Sequence, residues 1–266
     1  MLSALANANP MDLWQPEILG VSLIIQFLYL MATIGPWRKR FTGYRPVPKK
    51  TIVTFLIGMW VMYFSFAGPL DYLSDNYLFS AHMVQHQLEI MLMTPLIIFG
   101  IPDWMFQPLL KFAPSRKVIT VWAHPTVAGA VFNIVYTGFH LPAIYNYALI
   151  NETFHLFEHT VFFVIAFFMW LPIISRFTGL EPLSSGKRLL YLLYNYNLMM
   201  PIVVLLIVAN HPWYSFYVTA PRIIPGVGPL FDQQLGGIIM AIGSVIPFVA
   251  VGTKSFMAQN ELVWYS

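Results

Sequence analysis

Seven apolar runs, at about 18–34, 51–67, 81–101, 118–139, 154–174, 189–209 and 235–251, dominate this chain of 266 residues. Each approaches the roughly 17 to 25 residues that a helix needs to cross a bilayer. The segments between them carry helix-stopping Pro and Gly, as in Gly35-Pro36-Trp37, Gly68-Pro69 and Gly100-Ile101-Pro102. The expected fold is an all-α integral membrane protein, a seven-transmembrane-helix bundle. Residues 1–266 are expected to form a single membrane domain, with no segment left over for a soluble one. Composition agrees: 9% of residues are charged, against about 25% in soluble domains.

Lys and Arg set the expected orientation. Arg38, Lys39, Arg40, Arg45, Lys49 and Lys50 follow the first run; Lys111, Arg116 and Lys117 follow the third; Arg176, Lys187 and Arg188 follow the fifth; Lys254 follows the seventh. Only Arg222 falls on the other side. The basic side is expected to be cytoplasmic, which puts the N-terminus outside and the C-terminus inside. The net charge of +3 is thus loop basicity and not a nucleic-acid footprint. The N-terminal stretch lacks a basic region followed by an early apolar core, so no cleaved signal is expected there.

On this topology six of the seven histidines gather at one membrane face. His82 and His86 open the third run, His140 closes the fourth, His155 and His159 open the fifth, and His211 closes the sixth; His124 lies on the opposite side. Both pairs read H-x-x-(Gln/Glu)-H, as His82-Met83-Val84-Gln85-His86 and His155-Leu156-Phe157-Glu158-His159. Residues four apart share one helix face, with Cβ atoms about 5–6 Å apart. Two imidazoles of a pair can therefore point together into a bundle interior. Ionisable groups are expensive in lipid and turn toward a partner or a cavity. The stripe His82, His86, Glu89, Met93 is expected on one face, and Glu152, His155, His159 on another, with Glu158 beside it. A single histidine at a helix end is ordinarily an interfacial residue, which is the reading for His124 and His211. Two such pairs at one depth point to a metal or cofactor site. Asn195 and Asn197 are expected to hydrogen-bond between helices.

Imidazole suits zinc, copper, iron and nickel. The absence of cysteine removes thiolate sites and disulfides. The outer face and the nearby methionines Met83 and Met93 tilt the choice toward copper, with zinc the alternative. The fifth-run motif also fits the inverted zinc-protease pattern, with Glu158 as base; the companion pair has Gln85 in that place, which favours ligand pairs over a peptidase. Haem ligation by facing histidines would spread cofactors along the bundle, whereas these pairs crowd one depth. Retinal is excluded, since the last run has no lysine before Lys254.

Leu70-Asp71-Tyr72-Leu73, Ser80 to His86, Thr94-Pro95-Leu96, Gly100-Ile101-Pro102, Phe139-His140-Leu141-Pro142, His155 to His159 and Trp170-Leu171-Pro172 together resemble the CtaG family of multi-spanning cytochrome c oxidase assembly factors. Thr94-Pro95 stands where the family pattern would carry two prolines, a departure that touches no ligand. A second group of assembly factors shares the family name but has one anchor and cysteine ligands; seven runs and no cysteine exclude it. The resemblance implies a non-enzymatic, multi-pass plasma-membrane protein that supports copper insertion into the oxidase catalytic subunit, supplied by an extracytoplasmic copper donor. On the residue reading His82, His86, His155 and His159 are the expected ligands, with His140 and Glu158 beside them. A zinc hydrolase and a metal-free structural chaperone are the alternatives.

Overall fold

The computed structural model describes residues 1–42 and 46–264, with side chains placed except at 2, 3, 41, 42, 254–256 and 258–264. Arg45 and the side chain of Lys254, two members of the basic loops, lie outside the described residues. The chain is all-helical, with no strand among the described residues. Five helices are long and apolar enough to cross a membrane, and seven if each of two bent pairs is one span.

Lipid as the solvent is legible in the first of these, Pro16–Thr33. Its buried residues are Ser22, Gln26, Tyr29 and Thr33, while Ile24 and Phe27 are 59% and 58% exposed. Water would demand the reverse. In hydrocarbon the polar groups must find partners inside. Ser22 donates to the carbonyl of Met59, Gln26 to Ser22, and the Tyr29 hydroxyl to the carbonyl of Gly100 at 2.8 Å. These bonds tie the helix to Lys49–Phe66 and to the third run.

Two of the expected spans are not single uniform helices. The run 118–139 is two helices, Ala113–Trp122 and Pro125–Phe139, bent by 71°. The cause is local: the Pro125 ring disfavours helical geometry at the preceding residue, and His124 is extended with ψ 128°. The run 81–101 is helical from Phe79 to Gly100, but Leu88–Met93 forms a π-helical segment. Pro95 has no N–H to give to the turn before it. The carbonyls released there are served by side chains: Thr94 donates to Glu89 O at 2.8 Å, and the Trp170 indole donates to Ile90 O at 2.8 Å. Met93 packs with Tyr29, Phe55 and Met59 and borders the cleft that Glu89, His155 and His159 also line.

The Phe79–Gln87 segment is held from several sides. Asp232, at the start of helix Pro229–Trp264, accepts from Phe79 N at 2.7 Å and from the backbone and hydroxyl of Ser80. It satisfies the orphan donors of a helix N-terminus from another element. Gly236 and Gly243 of that same helix permit close approach: a Cβ at Gly236 would stand 3.0 Å from Met83, and one at Gly243 2.8 Å from Gln87. Asn195 spans helices by accepting from Asn133 at 3.2 Å, whereas Asn197, exposed, bonds to its own helix at Leu193.

Candidate metal centre

Two helices meet through their histidines. His82 and His86 face each other Nε2 to Nε2 at 2.7 Å on one helix, and His155 and His159 do the same at 3.0 Å on Glu152–Ile174. The pairs also stack across the interface, with ring centroids 5.2 Å apart for His82–His155 and 5.0 Å for His86–His159. His82 and His86 are fully buried, His159 is nearly so, and His155 stands at the rim.

Two carboxylates complete the cluster. His159 Nδ1 donates to Glu89 Oε2 at 3.0 Å, and His86 Nδ1 lies 3.8 Å from the same oxygen. Glu89 therefore sits between the helices and, through its bond to Nδ1, turns the Nε2 atom of His159 away from itself, toward the centre. This is the arrangement in which a carboxylate fixes the tautomer and raises the basicity of a ligating imidazole. Glu158, 1% exposed, places Oε1 3.8 Å from His86 Nε2. Neither of its oxygens has a hydrogen-bond partner among the described residues. A buried carboxylate without a partner carries a large desolvation cost, which a cation would offset.

Three overlapping donor groups have all their atoms within 4.8 Å of one another: His82, His155 and His159; His82, His86 and Glu158; His86, Glu89 and His159. Each spans both helices. The donors are imidazole nitrogens and carboxylate oxygens, and a copper or zinc ion fits that set. His140 joins from the end of Pro125–Phe139. Its Nδ1 donates to Tyr136 O at 2.7 Å, which leaves Nε2 as the lone-pair nitrogen, buried without a partner. The ring lies 5.9 Å from that of His86, adjacent to the three donor groups but outside them.

Other candidates are elsewhere. Met83 is fully buried against Phe79 and the last helix, on the opposite side from the donors. His211 bonds to Asn210 and is exposed, as is His124. Gln85 turns away from the histidines. Its amide donates to Ser65 O at 2.7 Å and Asp71 Oδ1 at 2.8 Å, and its oxygen accepts from Ser74. It anchors the histidine helix to Pro69–Asn76. Asp71 also takes a bond from Gln15. Sequence spacing missed this network, and it missed Asp75, whose Oδ2 is 4.0 Å from His155 Nδ1. Asp75 precedes the histidine helix in a short separate helix, where no helical period relates it to His155.

Polar residues turned inward, apolar residues turned outward and a buried histidine–carboxylate centre define a multi-pass membrane protein built around a cation-competent site. The family profile of the cytochrome c oxidase caa3 assembly factor, Caa3_CtaG, matches residues 27–258, and the chain belongs to that family. No curated protein and no solved structure matches the chain.

Proposed function

We propose that this protein is a copper carrier for cytochrome c oxidase assembly, acting at the plasma membrane as one domain of seven spans with its N-terminus outside. The observation that carries this reading is the convergence of four imidazoles from two helices, with Glu89 orienting His159 and Glu158 supplying unpartnered negative charge. His82, His86, His155 and His159 hold the ion, and His140 Nε2 is the adjacent donor toward which it shifts. The protein takes the ion from an extracytoplasmic donor and passes it to the oxidase catalytic subunit, which requires an exchangeable site. An all-nitrogen and oxygen donor set lacking thiolates supports exchange over permanent capture. No bond is made or broken in a substrate, so the role is not enzymatic.

Elemental analysis of protein purified without chelators tests this. Copper or zinc is expected in the wild type and absent from the variant with all four histidines replaced by Ala. Equal metal content in both overturns the site. Cells carrying the variant are expected to assemble oxidase lacking copper, and full oxidase activity there would support the metal-free chaperone instead.

A further inference from the structure

Six of the eleven acidic residues of a chain with net charge +3 line one cleft. The cleft, about 1140 Å³, runs between the N-terminal segment, the Pro69–Asn76 helix and the start of Glu152–Ile174. Asp12, Glu17, Asp71, Asp75 and Glu152 stand along it, and His155, His159 and the fully buried Glu89 form its inner end. No Lys or Arg among the described residues lines it. Carboxylates gathered without a Lys or Arg among them repel one another; Asp71, Asp75 and Glu89 take hydrogen bonds from Gln15, Gln85, Ser74 and His159, which ease but do not neutralise that charge. The inner end carries its own sign of a missing ligand. Glu89 Oε1 has no hydrogen-bond partner among the described residues, although the residue is wholly buried.

We infer that this cleft is a cation-loading vestibule: exposed carboxylates at its mouth draw a hydrated divalent cation in, and Asp75 hands it to His155. The inference rests on the metal-carrier reading above and adds the path and its charge. Asp12, Glu17 and Glu152 are exposed, so they raise the local cation concentration without holding the ion. A cleft lined by one sign of charge and walled by low-dielectric material focuses its field, and steering of this kind raises association rates by roughly 10- to 1000-fold. Asp75 is half-buried between mouth and centre. Ser74 donates to it at 2.8 Å, and its Oδ2 faces His155 Nδ1. It is positioned to share the ion with His155, the most exposed of the four ring ligands.

The test is the rate at which purified full-length protein takes Cu(II) from a weak chromogenic chelator. In the wild type the rate is expected to fall several-fold between low and high NaCl. In the triple variant Asp12→Asn/Glu17→Gln/Glu152→Gln it is expected to be at least fivefold slower and nearly independent of salt, with the final copper stoichiometry unchanged. Reversing the charge with Asp12→Lys/Glu17→Lys is expected to slow uptake further. Equal rates and equal salt dependence in wild type and triple variant overturn the vestibule while leaving the site intact. A wild type that takes up no ion overturns the carrier reading and the vestibule with it.

Discussion

His159 Nδ1 and Glu89 Oε2, seventy residues apart in sequence, are joined by a 3.0 Å hydrogen bond inside the bundle. The bond crosses the interface between the two histidine helices, and the same oxygen lies 3.8 Å from His86 Nδ1. One carboxylate thereby fixes the direction of the His159 ring from the other helix. The Nε2 atoms within each pair face each other at 2.7 and 3.0 Å.

Removing that carboxylate is expected to weaken metal binding without emptying the site. Glu89→Ala should cost roughly 10- to 100-fold in affinity, the usual range for a group that orients a ligating histidine. Glu89→Gln should cost less, because its amide oxygen still accepts the His159 N–H. Competition titration with a calibrated chelator checks both; equal losses in the two variants would assign Glu89 to direct coordination.

Glu158 separates carrier from hydrolase. With Glu158→Gln a carrier is expected to keep its metal stoichiometry and retain more oxidase assembly than His159→Ala, which removes a ligand and the Glu89 bond together. A zinc hydrolase using Glu158 as base would lose nearly all turnover while keeping its metal. Metal content and oxidase activity measured on both variants decide the matter.

Imidazole binds a metal through a lone pair that protonation occupies, so protons compete with the ion. Affinity is expected to fall as pH drops and protons compete for the imidazole lone pairs. With two or more histidines bound, the fall should be steeper than one proton per ion. A pH series of copper titrations reads the slope, and an affinity that rises as pH falls would exclude histidine ligation.

Asp232 caps the His82 helix from a distant element through Phe79 and Ser80. Asp232→Ala leaves buried donors unsatisfied and is expected to cost about 1–3 kcal/mol of stability. Thermal unfolding in detergent measures it. Metal affinity should fall alongside, since the first turn of that helix positions His82; an unchanged melting temperature would show that the cap is redundant.

Several features were legible without tertiary structure because they are local. Hydropathy over about 20 residues identifies what must face lipid, and a four-residue spacing places two rings on one face whatever the helix packs against. The pairs His82/His86 and His155/His159 and their shared depth follow from that, while the family resemblance is carried by short motifs such as Ser80 to His86 and Phe139-His140-Leu141-Pro142. The bend at His124-Pro125 was local too, yet the unbroken apolar run 118–139 masked it.

What only the folded chain decided is how each helix is turned about its own axis. A stretch that is apolar all round, such as 160–174, carries no periodic signal for that rotation. It is set by contacts with residues far away: Asp71 and Ser65 drawing Gln85 to one side, Gly236 admitting Met83 to another, Trp170 holding the π-helical segment beyond Glu89. Those contacts sent one methionine away from the histidine centre and turned Glu89 into the bridge between two helices. They also brought Asp75, in a separate helix, to the edge of His155, because a charge in an apolar bundle goes where another group can answer it.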